Sequence, residues 1–403
     1  MRTSHRTAML GSATAALMLL TACGAPTTPG KGTDTTPKAV PEAPSKPVAL
    51  NVLDVAGNLQ LTQGMIDEFV KENPKVISRI TYSNAPAPDL VGKIKAQQGA
   101  GRVDIGLVLT GVDGMAAGAE QGLWQKVLPA HADRLSNMKT YQEPAAKMQE
   151  LAGDYGVTVT YYPSGPLLEY LPGKVAKPPT TAQELLDYAK AHPGKVEYAR
   201  PANSGPGRTF LMGLPYILGD KDPKDPEKGW DKTWAYLGEL NKYIKTYPSG
   251  TSQTMKDLAT GSADIVVTTT GWDINPRVLG TVPQEARVST LQGFHWVTDA
   301  HYAVIPKGAS TDQQAAVLKL LQFMLTKKQQ AKAYDDGYFY PGPAVQGVNL
   351  SMAPEKSQDA IKKFGRSEYD ALIANNPKEV PLDAKSVIKA FDRWDREIGG
   401  ARK

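Results

Sequence analysis

The run VALNVLDVAGN at residues 48–58, with VISRITY at 76–82 and VDIGLVL at 103–109, decides the fold. All three runs are rich in Val, Leu and Ile and read as buried strands. Between the first two, residues 59–72 place Leu61, Met65, Ile66, Phe69 and Val70 on one helical face, and Asn73-Pro74 stops that helix. The stretch SNAPAPD at 83–89 breaks the second strand, and residues 90–98 are helical again. Thr110-Gly111 then turns the third strand into another helix. The order β-α-β-α-β predicts an α/β fold with a mostly parallel sheet and helices on both faces. Ligands of such sheets bind at the carboxyl ends of the strands. Asn58, Asn84 and Thr110 stand there and are the first candidate contacts; all three also suit plain turns.

Downstream, GDYGVTVTYYPSGPLL at 153–168 alternates like a strand and reads as a crossing into a second lobe. Helical and strand patterns then alternate through SADIVVTTT at 262–270, which ends at Gly271-Trp272-Asp273. FHWVTDAHYAVIPKGA at 294–309 reads as the return crossing, and Ser310 with Gln313 is a capping-box pattern. The last helix puts Val387, Phe391, Trp394 and Ile398 on one face. This divides the body into a first lobe of residues 48–157 and 303–403 and a second lobe of residues 158–302. Thr158–Tyr161 and Val297–Tyr302 are then the hinge strands.

Upstream, Arg2 and Arg6 precede an uncharged run at residues 8–22, shorter than the roughly 20 residues that span a bilayer as a helix. It reads as a signal peptide, residues 1–22. The segment ends Leu-Thr-Ala-Cys at Cys23, which resembles the bacterial lipobox, whose cysteine is lipidated and becomes the mature N-terminus. Residues 23–47 follow as a Pro/Thr-rich linker with little to bury, expected to stay extended. Cys23 is the sole cysteine of 403 residues, so an intrachain disulfide, a multi-cysteine zinc site and an iron–sulfur cluster are excluded. A net charge of +5 without a Lys/Arg cluster gives no footprint for nucleic acid.

The order of these motifs, from the lipobox through IDEFVKENP, VDIGLVLTG, TGSADIVVTTTGW and HYAVIPKGAS to MLTKKQQAKAY, resembles the type II bacterial extracellular solute-binding proteins, receptors of ABC importers. The likeness is strongest to the branch holding thiamine-, polyamine- and iron-binding members, and it covers nearly the whole chain after the linker. It implies a two-lobed periplasmic-binding-protein fold, each lobe a mixed, mostly parallel sheet flanked by helices, hinged to close on a small solute. It also implies a membrane permease as partner, a lipid-anchored place in the cell envelope facing the periplasm or the exterior, a monomer, and no catalysis, cofactor or metal.

Enzyme signatures are missing from the sequence: there is no His-Glu-x-x-His, no Gly-x-Ser-x-Gly around Ser164 or Ser249, and no phosphate-binding glycine loop. A carboxylate pair of the glycosidase kind stays open as an alternative, because 41 acidic residues offer many pairings. Ligand candidates come from three places. Ser204, Gly205, Gly207 and Arg208 in SGPGR sit before a helix expected to start near Thr209, where free N–H groups and a guanidinium suit an anionic group. Trp272 offers a stacking surface, and Asp273 and Asp299 offer partners for a cation. Tyr338, with Tyr340, and Tyr161, with Tyr162, are phenols that would suit a sugar or organic cation, or ferric iron in a second alternative.

Overall fold

The computed structural model describes residues 39–55 and 57–400; the signal-peptide segment, Cys23 and most of the linker lie outside them. The first lobe begins with β1 (Val48–Asp54), α1 (Leu59–Glu72), β2 (Ile77–Asn84), α2 (Ala87–Gly99), β3 (Leu107–Thr110) and α3 (Val112–Glu120). β1 lies between β2 and β3 and is parallel to both. α1 buries Leu61, Met65, Ile66 and Phe69, the stripe that the sequence spacing requires. β3 is shorter than the run VDIGLVL: only its last residues and Thr110 join the ladder. Gly106 just before it comes so close to β1 that a Cβ would stand 2.6 Å from the Leu50 side chain.

α4 (Glu143–Leu151) leads into β4 (Gly156–Gly165), all of it buried, and one residue later β5 (Leu167–Tyr170) opens the second sheet. That lobe continues with α5 (Ala182–Ala191), β6 (Val196–Glu197), α6 (Gly205–Ile217), α7 (Asp231–Asn241), α8 (Thr251–Thr260), β7 (Ile265–Thr268), α9 (Thr270–Val278) and β8 (Arg287–Ser289). β9 (Trp296–Val304) returns to the first sheet, antiparallel to both β3 and β4. The remaining elements are α10 (Thr311–Met324), α11 (Lys327–Gln330), α12 (Glu355–Phe364), α13 (Glu368–Asn375), β10 (Lys378–Glu379) and α14 (Ala384–Trp394). Ser310 and Gln313 form the reciprocal capping box at the start of α10.

Both sheets are mixed, as expected, but the parallel share is smaller in the second. There β5 runs antiparallel to β7 and to β8, and only β6–β7 is parallel. The reason is connectivity: β5 follows straight from a crossing strand instead of from a helix, so no right-handed crossover sets its direction.

The core of the first lobe joins β1, β3, β4 and β9 to α1, α2 and α10. The C-terminal helices pack outside that core. Ile361, Phe364 and Tyr369 pack with Leu167, Ile274 and Trp296, and Val387, Ala390 and Trp394 pack with Tyr198, Leu237 and Leu240 of the second lobe. Trp394 Nε1 donates to the Tyr198 hydroxyl at 3.1 Å. The apolar faces of α12 and α13 therefore pack on β5, α9 and the start of β9, while α14 lies against both α3 of the first lobe and the core of the second. The last residues of the linker are also held rather than free: Ser45 Oγ donates to Asp312 at 2.6 Å, and Arg134 Nη2 donates to the Glu42 carbonyl at 3.0 Å.

Candidate functional site

A cavity of about 460 Å³ opens between the lobes, within the range usual for small-molecule sites. Helices begin at its wall because it lies where strands end and helices start. The first residues of α2 and α3 come from the first lobe, and those of α6 and α8 from the second. Three of these four helices have N-caps whose side chains accept nothing: Pro86 for α2, Gly111 for α3 and Gly250 for α8. Ser204 does cap α6, accepting from Gly207 N at 3.1 Å, and its hydroxyl also meets Thr251 Oγ1 at 2.7 Å. Each helix start carries roughly half a positive charge.

One ion-pair group ties the two walls together. Arg208 on α6 donates through Nη2 to Asp299 on β9 at 2.5 Å, and its Nη1 lies 3.6 Å from Asp113 on α3. Arg208 and Asp299 are nearly inaccessible, whereas the Asp113 side chain keeps 20 % of its exposure. Burial works against charge on Arg208, but Asp299 and Asp113 outweigh it and hold the guanidinium above its ordinary range. Burial raises the Asp299 carboxyl, and Arg208 opposes that rise.

The rest of the wall is aromatic. Trp272, at the start of α9, stands edge-on to Tyr338, which stacks on Phe339, which stacks on Tyr162 at 4.2 Å. Phe339 holds φ at +86°, a conformation costly for a side chain with a Cβ and found at constrained sites. Gly271 lets this loop approach: a Cβ there would lie 2.5 Å from Phe339 N. His301 on β9 completes the wall, its ring 4.1 Å from Phe339. Neither of its nitrogens has a hydrogen-bond partner among the described residues, and burial, helped by Arg208, pushes it down to about 3. The imidazole is therefore neutral at physiological pH.

The model for "Bacterial extracellular solute-binding protein" matches residues 64–363. The chain belongs to this family. Protein YnjB of Escherichia coli is 26 % identical over 220 residues, and the chain spans about half the length of that relative, 52 % of it, with 51 % of its own. Among solved structures, the spermidine/putrescine ABC transporter substrate-binding protein PotD of Streptococcus pneumoniae superposes with a TM-score of 0.59 at 14 % identity, over 87 % of this chain and 98 % of that one. The periplasmic binding protein AfuA of Actinobacillus pleuropneumoniae, with fructose-6-phosphate bound, does so with a TM-score of 0.61 at 15 % identity, over 87 % and 98 %. These likenesses establish the two-lobed fold, and the fold names no solute.

In this solute-binding protein the residues singled out from the sequence separate into two groups. Ser204, Gly205, Arg208, Trp272, Asp299 and Tyr338 line the cavity. The others do not. Asp273 is fully buried on the far side of α9, accepting from Arg277, Arg366 and Tyr369, with no lone pair turned to the cleft. Tyr161 points into the first-lobe core, since neighbouring strand residues face opposite ways and Tyr162 takes the cleft side. Asn58 is turned back on its own helix, accepting from Thr62 at 2.6 Å. Thr110 is buried behind Gly111, and Asn84 is exposed beyond the rim. Gly207 serves packing: a Cβ would stand 2.2 Å from the Ala199 carbonyl oxygen. Tyr340 packs beside Tyr369, away from Tyr338, so the two phenols do not converge as an iron site would need. The helix expected near Thr209 starts at Gly205, which brings Ser204 into the N-cap position. Missed from the sequence were Asp113, the uncapped starts of α3 and α8, and His301. His301 was signalled by period two: it lies two residues after Asp299 on one strand and so shares its face.

Proposed function

We propose that this chain is the receptor of an ABC importer: it captures a small solute in the interlobe cavity and delivers it to a membrane permease. The observation that carries this reading is the Asp113–Arg208–Asp299 group, which joins both lobes and a crossing strand at the cavity wall. A solute seated there touches both lobes at once, so it favours the closed arrangement over an open one by the contacts only closure completes. β4 and β9 are the hinge in this reading, with Thr158–Tyr161 and Val297–Tyr302 as the crossing strands. The cavity carboxylates are committed to one guanidinium, which leaves no free acid and base for glycoside hydrolysis. The test is whether protein taken from the cell envelope carries a small molecule in this cavity.

In the same reading, lipid on Cys23 holds the chain at the membrane. Cys23→Ser is expected to move the protein from the membrane fraction to the soluble fraction or leave it unprocessed, because an acyl chain contributes about 0.8 kcal/mol per buried methylene. Unchanged membrane fractionation of the variant would refute the anchor.

A further inference from the structure

We propose that the solute carries an oxyanion, a phosphate ester or a carboxylate, seated on the uncapped starts of α3 and α8, with His301 as its second hydrogen-bond station. This rests on the receptor reading and names the ligand class for the same cavity. Gly111 and Gly250 are N-caps with no side chain to satisfy the first N–H groups of their helices, and both line the cavity. The two helices come from opposite lobes, so one anion between them bridges the cleft. Thr251 and Ser252, the first two residues of α8, line the same wall. The independent observation is His301. It is 1 % exposed, it lines the cavity, and neither ring nitrogen has a partner among the described residues. A neutral imidazole presents one donor and one acceptor, so it binds an oxyanion oxygen with one nitrogen or a neighbouring hydroxyl with the other.

The charged side chains fit this class. Arg208, Asp113 and Asp299 sum to −1; Asp299 is paired closely with Arg208, and Asp113, in the first turn of α3, lies 3.6 Å from the same guanidinium. The four helix starts at the wall add roughly half a positive charge each, which reverses the local balance.

The experiment is calorimetric titration of the purified full chain with four probes: glycerol 2-phosphate, glycerate, glycerol and putrescine. Glycerol 2-phosphate or glycerate should bind at least about tenfold more tightly than glycerol or putrescine, as charge-assisted hydrogen bonds require, and the tighter of the two identifies the oxyanion. Gly250→Asp has room, since the nearest atom to its Cβ is Asn203 O at 3.9 Å, and the extended backbone there suits a capping residue. Its carboxylate takes the α8 donors and repels an anion. This variant should melt no lower than wild type and lose about tenfold or more in oxyanion affinity, a combination that misfolding does not produce. His301→Leu should lose about tenfold, and His301→Asn, which keeps a donor and an acceptor, should stay within about threefold of wild type. Tighter binding of putrescine, or unchanged oxyanion affinity in Gly250→Asp, overturns the oxyanion assignment and leaves the receptor reading standing. Binding of none of the four probes overturns the oxyanion assignment in the same way.

Discussion

Arg208→Ala is expected to lower the unfolding free energy by about 3–5 kcal/mol, the usual cost of removing one partner from a buried ion pair. The loss is large because Arg208 faces two carboxylates and Asp299 is almost wholly buried. Without the guanidinium, Asp299 has only the Tyr162 hydroxyl, at 3.2 Å, and its neighbour's backbone N–H to answer its charge. Its carboxyl then rises further and binds a proton on folding. A carboxyl whose folded value lies above its unfolded value favours the native state below the unfolded value, and that contribution is lost as pH rises through the folded value. The deficit of Arg208→Ala relative to wild type should therefore shrink as pH falls from 7 toward 5. Urea melts across that range check the sign. Arg208→Met combined with Asp299→Asn should recover much of the stability, because replacing a buried pair outright costs far less than breaking it. Neither variant should hold solute. A single variant as stable as wild type at pH 7 would mean that the group contributes nothing to the fold.

Asp273→Ala should be as damaging, for a reason unrelated to the cavity. Asp273 accepts from Arg366 Nε at 2.8 Å, from Arg277 Nη2 at 3.1 Å and from the Tyr369 hydroxyl at 2.6 Å. Removing it strands two guanidiniums whose side chains are about one-twentieth exposed. Among the described residues they keep the backbone acceptors Phe364 O and Ala286 O and the nearby buried carboxyl of Glu169, whose charge Asp273 opposes in the wild type. The expected loss is again about 3–5 kcal/mol, and it falls on the docking of α12 and α13 against α9. Solute affinity of the molecules that remain folded should be unchanged, because Asp273 does not reach the cavity. A drop in affinity with stability intact would put Asp273 back among the ligand contacts.

The two aspartates explain why the fold was more legible than the site. The β-α-β-α-β opening, the α1 stripe from Leu61 to Phe69 and the Ser310–Gln313 capping box depend on residues within a few positions of one another. Local periodicity and local hydrogen bonds suffice to read them. Trp272 and Asp273 were placed together in the cleft because they adjoin in sequence and follow a strand. They are consecutive residues of a helix, so about 100° separates their side chains. Trp272 takes the cavity and Asp273 a buried side of the helix, where its partner Arg366 comes from 93 residues downstream. No local pattern carries that information. The same holds for α14, whose apolar face is visible in the sequence but whose partners, α3 and the core of the second lobe, are not. Tyr161 and His301 differ in kind: period-two alternation along β4 and β9 does sort cleft-facing from core-facing residues, once Asp299 fixes which face is which.

The most direct test of solute capture is native mass spectrometry of the protein purified without denaturation from its own envelope, beside Ser252→Trp. Ser252 lines the cavity at the exposed start of α8, so an indole there fills the space without disturbing a core. The account predicts a noncovalent small-molecule adduct on wild type, absent from the variant, with equal melting temperatures for the two. The same adduct on both proteins, or none on either, would contradict it.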